Sequence, residues 1–392
     1  MTEASRSGRY RTLESAKTRG CHTEVTFLGY PPLMQLTNPT KLLVMAAGVV
    51  ALFTVHVQAS SITPSVFATG APISSTSPDS VFFGDGSLWV SYQNGADSTG
   101  ASGSSTVVRY SPTGSVMHTW TIAGNVDGLR IAPNGQVWAL QNNDGNSALT
   151  VINPATNATT SFTYGSTYTA NGNSLGRGFD DVEFLNGQVY LSETNPAVGT
   201  DPVIVKLTTP LASPLQVAGI LDSTFTGTNL ATGTQASTTI TDSDSLILDP
   251  SGDLVLTGEA DQEIVFVHNP GAVNQSESFV ALLGTNGKTI SGLPDDTVFP
   301  TAANGTFYVA DTGANTVYAL AATGLAPGSV FIDVGNEFGE LDTSTGIVTP
   351  LFTGVSPHGV VFVPTPEPAS ICLVGGALLV VAFVLRKRRG PA

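Results

Sequence analysis

The chain has 392 residues, of which 41% are hydrophobic and only 11% charged, and its formal net charge is −15. An acid excess of that size repels nucleic-acid phosphates, which excludes a nucleic-acid-binding role; it favours solubility and attracts cations, divalent ones above all, or basic partners. The two cysteines, Cys21 and Cys372, both fall in terminal segments, so the body between them has no disulfide, thiolate zinc site or cysteine nucleophile.

The first 59 residues read as a leader. Leu42 to Val55 is apolar, follows Lys41 and precedes Val57-Gln58-Ala59. Small or apolar residues at 57 and 59 suit signal peptidase, with cleavage after Ala59, and the run is short for a membrane span. Residues 1–33 carry Arg6, Arg9, Arg11, Lys17 and Arg19 and make an overlong basic region. Met34 opens a signal peptide of ordinary proportions, which points to Met34 as the true start; a genuine long leader is the alternative.

Between residues 60 and 385 the charge is more lopsided still. The five basic residues there are Arg109, Arg130, Arg177, Lys206 and Lys288; the 30 acidic residues less Glu3, Glu14 and Glu24 leave 27. Gly, Ser, Thr, Asn and Asp are abundant, the composition of many short strands joined by tight turns. One pattern recurs: Asp or His, a small or acidic residue, then apolar-any-apolar. It occurs at Asp79–Phe83, Asp127–Ile131, Asp180–Phe184, Asp244–Leu248, Asp295–Phe299 and His358–Phe362, at spacings of 48, 53, 64, 51 and 63 residues. A Gly-bearing turn and a second strand follow the first five copies, at 88–90, 137–140, 189–191, 254–256 and 307–309. A third strand follows at 107–110, 149–152, 204–207, 264–267 and 317–320, and in some copies a fourth, such as 159–164.

Four-stranded units of about 50 residues predict an all-β fold, a β-propeller, because a lone meander cannot bury both faces and radial stacking does. Trp89 and Trp138, at equivalent sites, read as side chains packed between blades. Six first strands predict six blades, with five or seven left open. After His358 there is no room for three more strands, so Ile62 to Ala68 is the candidate to close the ring. The stretches 329–333, 339–342 and 347–352 look like second, third and fourth strands lacking a first.

The stretch from Asp127-Gly128 through Pro133 to Trp138, with its looser echoes over residues 79–364, resembles NHL-repeat and gluconolactonase-type propellers. In such a ring the residue opening each first strand sits at one mouth of the central channel. That register gathers Asp79, Asp127, Asp180, Asp244, Asp295 and His358 into a candidate metal site, where hard oxygen ligands suit Ca²⁺ or Mg²⁺. The resemblance implies a divalent metal that polarises a lactone carbonyl; that family's Glu- and Asn-based ligand pattern is not matched here, only acidic first-strand positions are. Asp before Gly or Ser at the start of a strand also caps a turn without any metal. No Gly-x-Ser-x-Gly elbow, phosphate loop or His-Glu-x-x-His motif occurs.

The chain ends in Pro366-Glu367-Pro368, an apolar run from Ala369 to Leu385, and Arg386-Lys387-Arg388-Arg389. Seventeen residues are at the short end of a transmembrane helix, and the basic cluster is a cytoplasmic stop. The order of the three parts resembles the PEP-CTERM sorting signal. That resemblance implies processing by an exosortase-type protease and association with exopolysaccharide; a plain C-terminal anchor is the alternative. Either places the body outside the cytoplasm, at the cell envelope or surface. The expected organisation is a leader over 1–59, a propeller over 60–364 and a sorting segment over 365–392. Two functions are expected of it: a non-enzymatic binding or matrix role, or an exported metal-dependent lactonase or hydrolase.

Overall fold

The computed structural model describes residues 61–164, 168–170, 173–175, 178–197, 199 and 201–365. The leader, the Pro366-Glu367-Pro368 motif, the apolar segment and Arg386 to Arg389 lie outside the described residues. No described helix is long and apolar enough to cross a membrane.

The body is a six-bladed β-propeller. After β1 (Ser61–Thr69), blade 1 comprises β2 (Pro78–Gly84), β3 (Ser87–Tyr92), β4 (Ser104–Tyr110) and β5 (Val116–Ala123). Blade 2 comprises β6 (Val126–Ile131), β7 (Val137–Gln141), β8 (Ala148–Asn153) and β9 (Ala158–Thr163). A small hairpin, β10 (Tyr168–Ala170) and β11 (Asn173–Leu175), precedes blade 3: β12 (Phe179–Leu185), β13 (Gln188–Glu193), β14 (Pro202–Leu207) and β15 (Val217–Asp222). A second hairpin, β16 (Thr224–Asn229) and β17 (Thr234–Thr239), is followed by blade 4: β18 (Ser243–Leu248), β19 (Leu254–Gly258), β20 (Glu263–His268) and β21 (Ser276–Ala281). β16 runs parallel to β21, so this sheet has six strands. The insertion accounts for the long spacing between the third and fourth first strands.

The last two blades are interleaved. The chain lays down β22 (Pro294–Val298), then β23 (Asn304–Asp311) and β24 (Thr316–Thr323), then β25 (Val330–Val334), β26 (Glu337–Asp342) and β27 (Ile347–Thr353), and finally β28 (Pro357–Pro364). Blade 5 is β22-β25-β26-β27; blade 6 is β28-β23-β24-β1. This corrects the expectation that 307–309 and 317–320 complete the unit opened by Asp295: they belong with His358. The three strands without a first strand take Asp295's strand instead. Gly305 shows why: a Cβ there would lie 2.2 Å from the Phe362 ring, so β23 is shaped to receive β28. β1 closes blade 6 as its outermost strand, as the sequence predicts.

Local chemistry explains the strands. Four second strands, β3, β7, β19 and β25, are buried along their whole length and are rich in apolar residues. Outer strands alternate: in β5 Trp120 and Ile122 point inward while their neighbours face solvent. Asp85-Gly86 and Asn186-Gly187 both adopt positive φ, the two-residue hairpin geometry that these dipeptides favour. The core lies between blades. Trp89 stacks on Trp120 at 5.2 Å, facing Val126 and Leu129 of blade 2. Trp138 meets Phe184 of blade 3 edge-on at 5.0 Å. Phe307 of blade 6 lies 4.8 and 5.1 Å from Phe331 and Phe338 of blade 5. Both tryptophans are buried, as expected of core residues.

Candidate metal centre

The innermost strands β2, β6, β12, β18, β22 and β28 each touch the next, closing a ring around the axis. In every one the ladder slips at the residue the sequence singled out. Asp79-Ser80 together oppose only Ser91, Asp127-Gly128 oppose Leu140, Asp180-Asp181 oppose Ser192, Asp244-Ser245 oppose Thr257, and Asp295-Asp296 oppose Asp333. His358 is likewise skipped between Pro357 and Gly359. A bulge bends the strand and re-aims the extra side chain. Here it turns all six side chains into one axial cavity of about 550 Å³. The structure thus brings together the six residues predicted for the metal site.

The ring has two unlike halves. Asp127, Asp180 and Asp244, from three successive blades, offer carboxylate oxygens that all lie within 4.8 Å of one another. Opposite them His358 sits between two acids, its Nδ1 3.4 Å from Asp295 Oδ1 and 4.0 Å from Asp79 Oδ1. Asp127 accepts a hydrogen bond from Gln93 Nε2 at 3.0 Å. Asp180 is 3% exposed and its Oδ2 is buried without a hydrogen-bond partner. Burial, reinforced by the neighbouring carboxylates, holds the Asp79, Asp180, Asp244 and Asp295 carboxyls well above the ordinary aspartate value. Burial pushes Asp127 up to about 6 despite its hydrogen bond with Asp180.

Of the ring acids, Asp79 also accepts from the backbone N–H of its own neighbour Ser80, the local bond expected of Asp before Ser; other acids cap turns away from the axis. Asp249 accepts from the N–H groups of Ser251 and Asp253, and Asp342 from that of Ser344. Asp242 accepts from Thr194 and Asn195 of blade 3, and Asp253 is hydrogen-bonded to His268.

One residue further along, a second tier locks the blades together. Arg130, its side chain 11% exposed, reaches from blade 2 to Asp181 Oδ2 at 2.6 Å and Glu183 Oε2 at 3.7 Å. It also donates to the carbonyls of Val182 and of Leu246 in blade 4. Asp181 accepts from the Leu246 N–H, and Asp296 from that of Val360. These carboxylates are paired and serve the ring's architecture. The Asp-Asp doublets at 180–181 and 295–296 signal this tier in the sequence. Arg130, one of few basic residues, was the other available signal. Two further acids escape pattern reading. Glu259 lines the cavity from the β19–β20 connection, its carboxyl pushed up to about 7 by burial and then by Asp242 and Asp127. Asp333 stands, fully buried, where blades 1, 3 and 4 have Ser91, Ser192 and Thr257. Burial and Asp296 push it up to about 8.

Three carboxylates gathered within a few ångströms, one with an orphaned oxygen, fit a hard cation. Two oxygens on opposite sides of a Ca²⁺ are about 4.8 Å apart at ordinary Ca–O distances. No protein-family model matches this chain, and no curated protein matches it in sequence. Solved structures similar to it include the periplasmic gluconolactonase of Pseudomonas aeruginosa, at 15% identity over 74% of this chain and 89% of that one, TM-score 0.43. They also include virginiamycin B lyase from Staphylococcus aureus, at 11% identity over 78% and 94%, TM-score 0.44. A Bacteroides thetaiotaomicron protein of unknown function is similar at 11% identity over 76% and 70%, TM-score 0.45.

Proposed function

We propose that this protein is an exported propeller that binds a divalent cation, Ca²⁺ or Mg²⁺, in its axial cavity and acts as a binding or structural component of the cell envelope or its exopolysaccharide. The observation that carries the cation is the meeting of Asp127, Asp180 and Asp244. Burial first, and the neighbouring carboxylates second, oppose ionisation of four ring acids, and a bound dication would offset that cost. Support for export and sorting comes from the sequence: the signal segment with its Ala59 cleavage site, then Pro366-Glu367-Pro368, the apolar run and the basic stop. An exosortase-type protease and signal peptidase are the processing partners this reading requires.

Calorimetric titration of the purified protein with CaCl₂ and MgCl₂ tests the cation. We expect one tight site that Asp127→Asn with Asp244→Asn weakens at least tenfold; no measurable binding by the parent protein ends the proposal. A second reading, a metal-dependent lactonase or hydrolase, is favoured by the cavity itself. About 550 Å³ accommodates a small molecule, and Glu259, pushed up to about 7, exchanges protons near neutrality. A bound metal would supply Lewis-acid polarisation of a carbonyl; Glu259 would hold or release the proton. Cation-dependent turnover of a lactone panel, lost in Glu259→Gln, distinguishes this reading from plain binding.

A further inference from the structure

We infer that the carboxylate mouth points away from the membrane that holds the chain, and that the opposite face of the ring lies against lipid. The inference rests on the reading of residues 369–385 as a membrane segment, and two separate observations carry it from there. The first is strand polarity. β28 starts at the mouth, where His358 joins the ring, and runs to Pro364 at the far end of the channel. Thr365 is still fixed there, its N–H donating to the Asn304 carbonyl at 3.0 Å. The chain therefore leaves the propeller toward the sorting segment from the face opposite the acids. Ser61 pairs with Thr323, and Thr323 with Asn304, so the start of β1 shares the same hydrogen-bonded row of blade 6.

The second observation is charge. The connections between second and third strands, at the mouth end, carry Asp97, Asp144, Asp201, Glu259 and Asp261 and no Lys or Arg. Even with Lys288 in the β21–β22 connection beside them, these loops make a net negative face, which anionic headgroups repel. The turns between first and second strands, at the far end, carry Asp85, Asp249 and Asp253. Asp85 is paired with Arg109 at 2.8 Å and Asp253 with His268 at 2.7 Å, and Asp249 caps its own turn. The face from which the tail departs thus carries fewer acids in these turns, one of them neutralised by Arg109, and a lipid surface tolerates it better than the mouth.

The test uses the full-length chain in spheroplasts, with Cys21 and Cys372 replaced by Ser and a single cysteine placed at an exposed position of either face. Thr99→Cys marks the mouth and Ser251→Cys the far turns. A membrane-impermeant polymer-linked maleimide is the probe. We expect Thr99→Cys to react at the same rate before and after detergent solubilisation, and Ser251→Cys to react severalfold slower before it. Membrane-bound protein with equal rates at both sites, or with the shielding reversed, overturns the orientation and leaves the membrane reading standing. Protein that does not sediment with membranes overturns both.

Discussion

Asp127, Asp180 and Asp244 lie where their own charge is least welcome, and the consequence is a stability that depends on pH with a definite sign. Burial raises these carboxyls in the folded state above their values in the unfolded chain. The folded protein therefore holds more protons, and stability falls as pH rises. The contribution is fully present below about pH 4, the ordinary aspartate range. It is lost through about 6 for Asp127 and about 7 for Asp296. For Asp127 alone the loss is about 3 kcal/mol, which lowers the melting temperature by roughly 5–10 °C. We expect the protein in chelator to melt lower at pH 8 than at pH 5, and Ca²⁺ to restore most of the difference at pH 8. A flat or rising profile in chelator contradicts the burial argument. The ring itself was legible in the sequence, because each acid opens a recurring first strand. Glu259 and Asp333 were not, because each sits off that repeat, and a residue's burial is set by strands distant in the chain.

At the scale of the strand, the decisive feature is the bulge. It makes the difference between an aspartate that caps its own turn and one that faces the axis. The residue after the ring position is Gly128 in blade 2 and Gly359 in blade 6. A Cβ on Gly128 would stand 2.2 Å from the Asp180 carbonyl, and one on Gly359 2.3 Å from that of Asp79. The clash is with backbone, which has nowhere to move. Gly128→Ala should therefore cost about 1–3 kcal/mol and weaken cation binding, since it forces the Asp127 and Asp180 strands apart. Gly145→Ala, on a mouth loop where a Cβ would meet only Thr99 at 3.6 Å, is the control. Thermal melts and calorimetry of the pair check both parts; equal affinity in the two variants would show that the bulge does not set the site.

At the scale of the molecule, blade 6 is assembled from three separated stretches of chain: β1, the β23–β24 pair and β28. This locks the ring by joining distant segments in one sheet, and it removes the open edge that β24 would otherwise present. Deleting residues 61–69 should lower the melting temperature and cause self-association through the bared β24 edge, readable by calorimetry and size-exclusion chromatography. A truncated protein that stays monomeric and melts like its parent would show that closure by β1 is dispensable.

By itself the sequence determined the class of fold, the number of first strands and the identity of the six ring residues. Periodicity, turn dipeptides and a repeat are local properties, written wherever the chain obeys them. Only the tertiary structure decided which strands share a blade near the C-terminal end, because a strand's hydrophobic pattern does not name its neighbour. Gly305 receiving Phe362 does so only in three dimensions. The structure also divided the ring into an acid triad and a histidine-centred half, and turned Arg130 into the clasp of three blades. Those outcomes depend on distances between residues as many as 279 positions apart in the chain, as His358 and Asp79 are, and chain closure sets such distances.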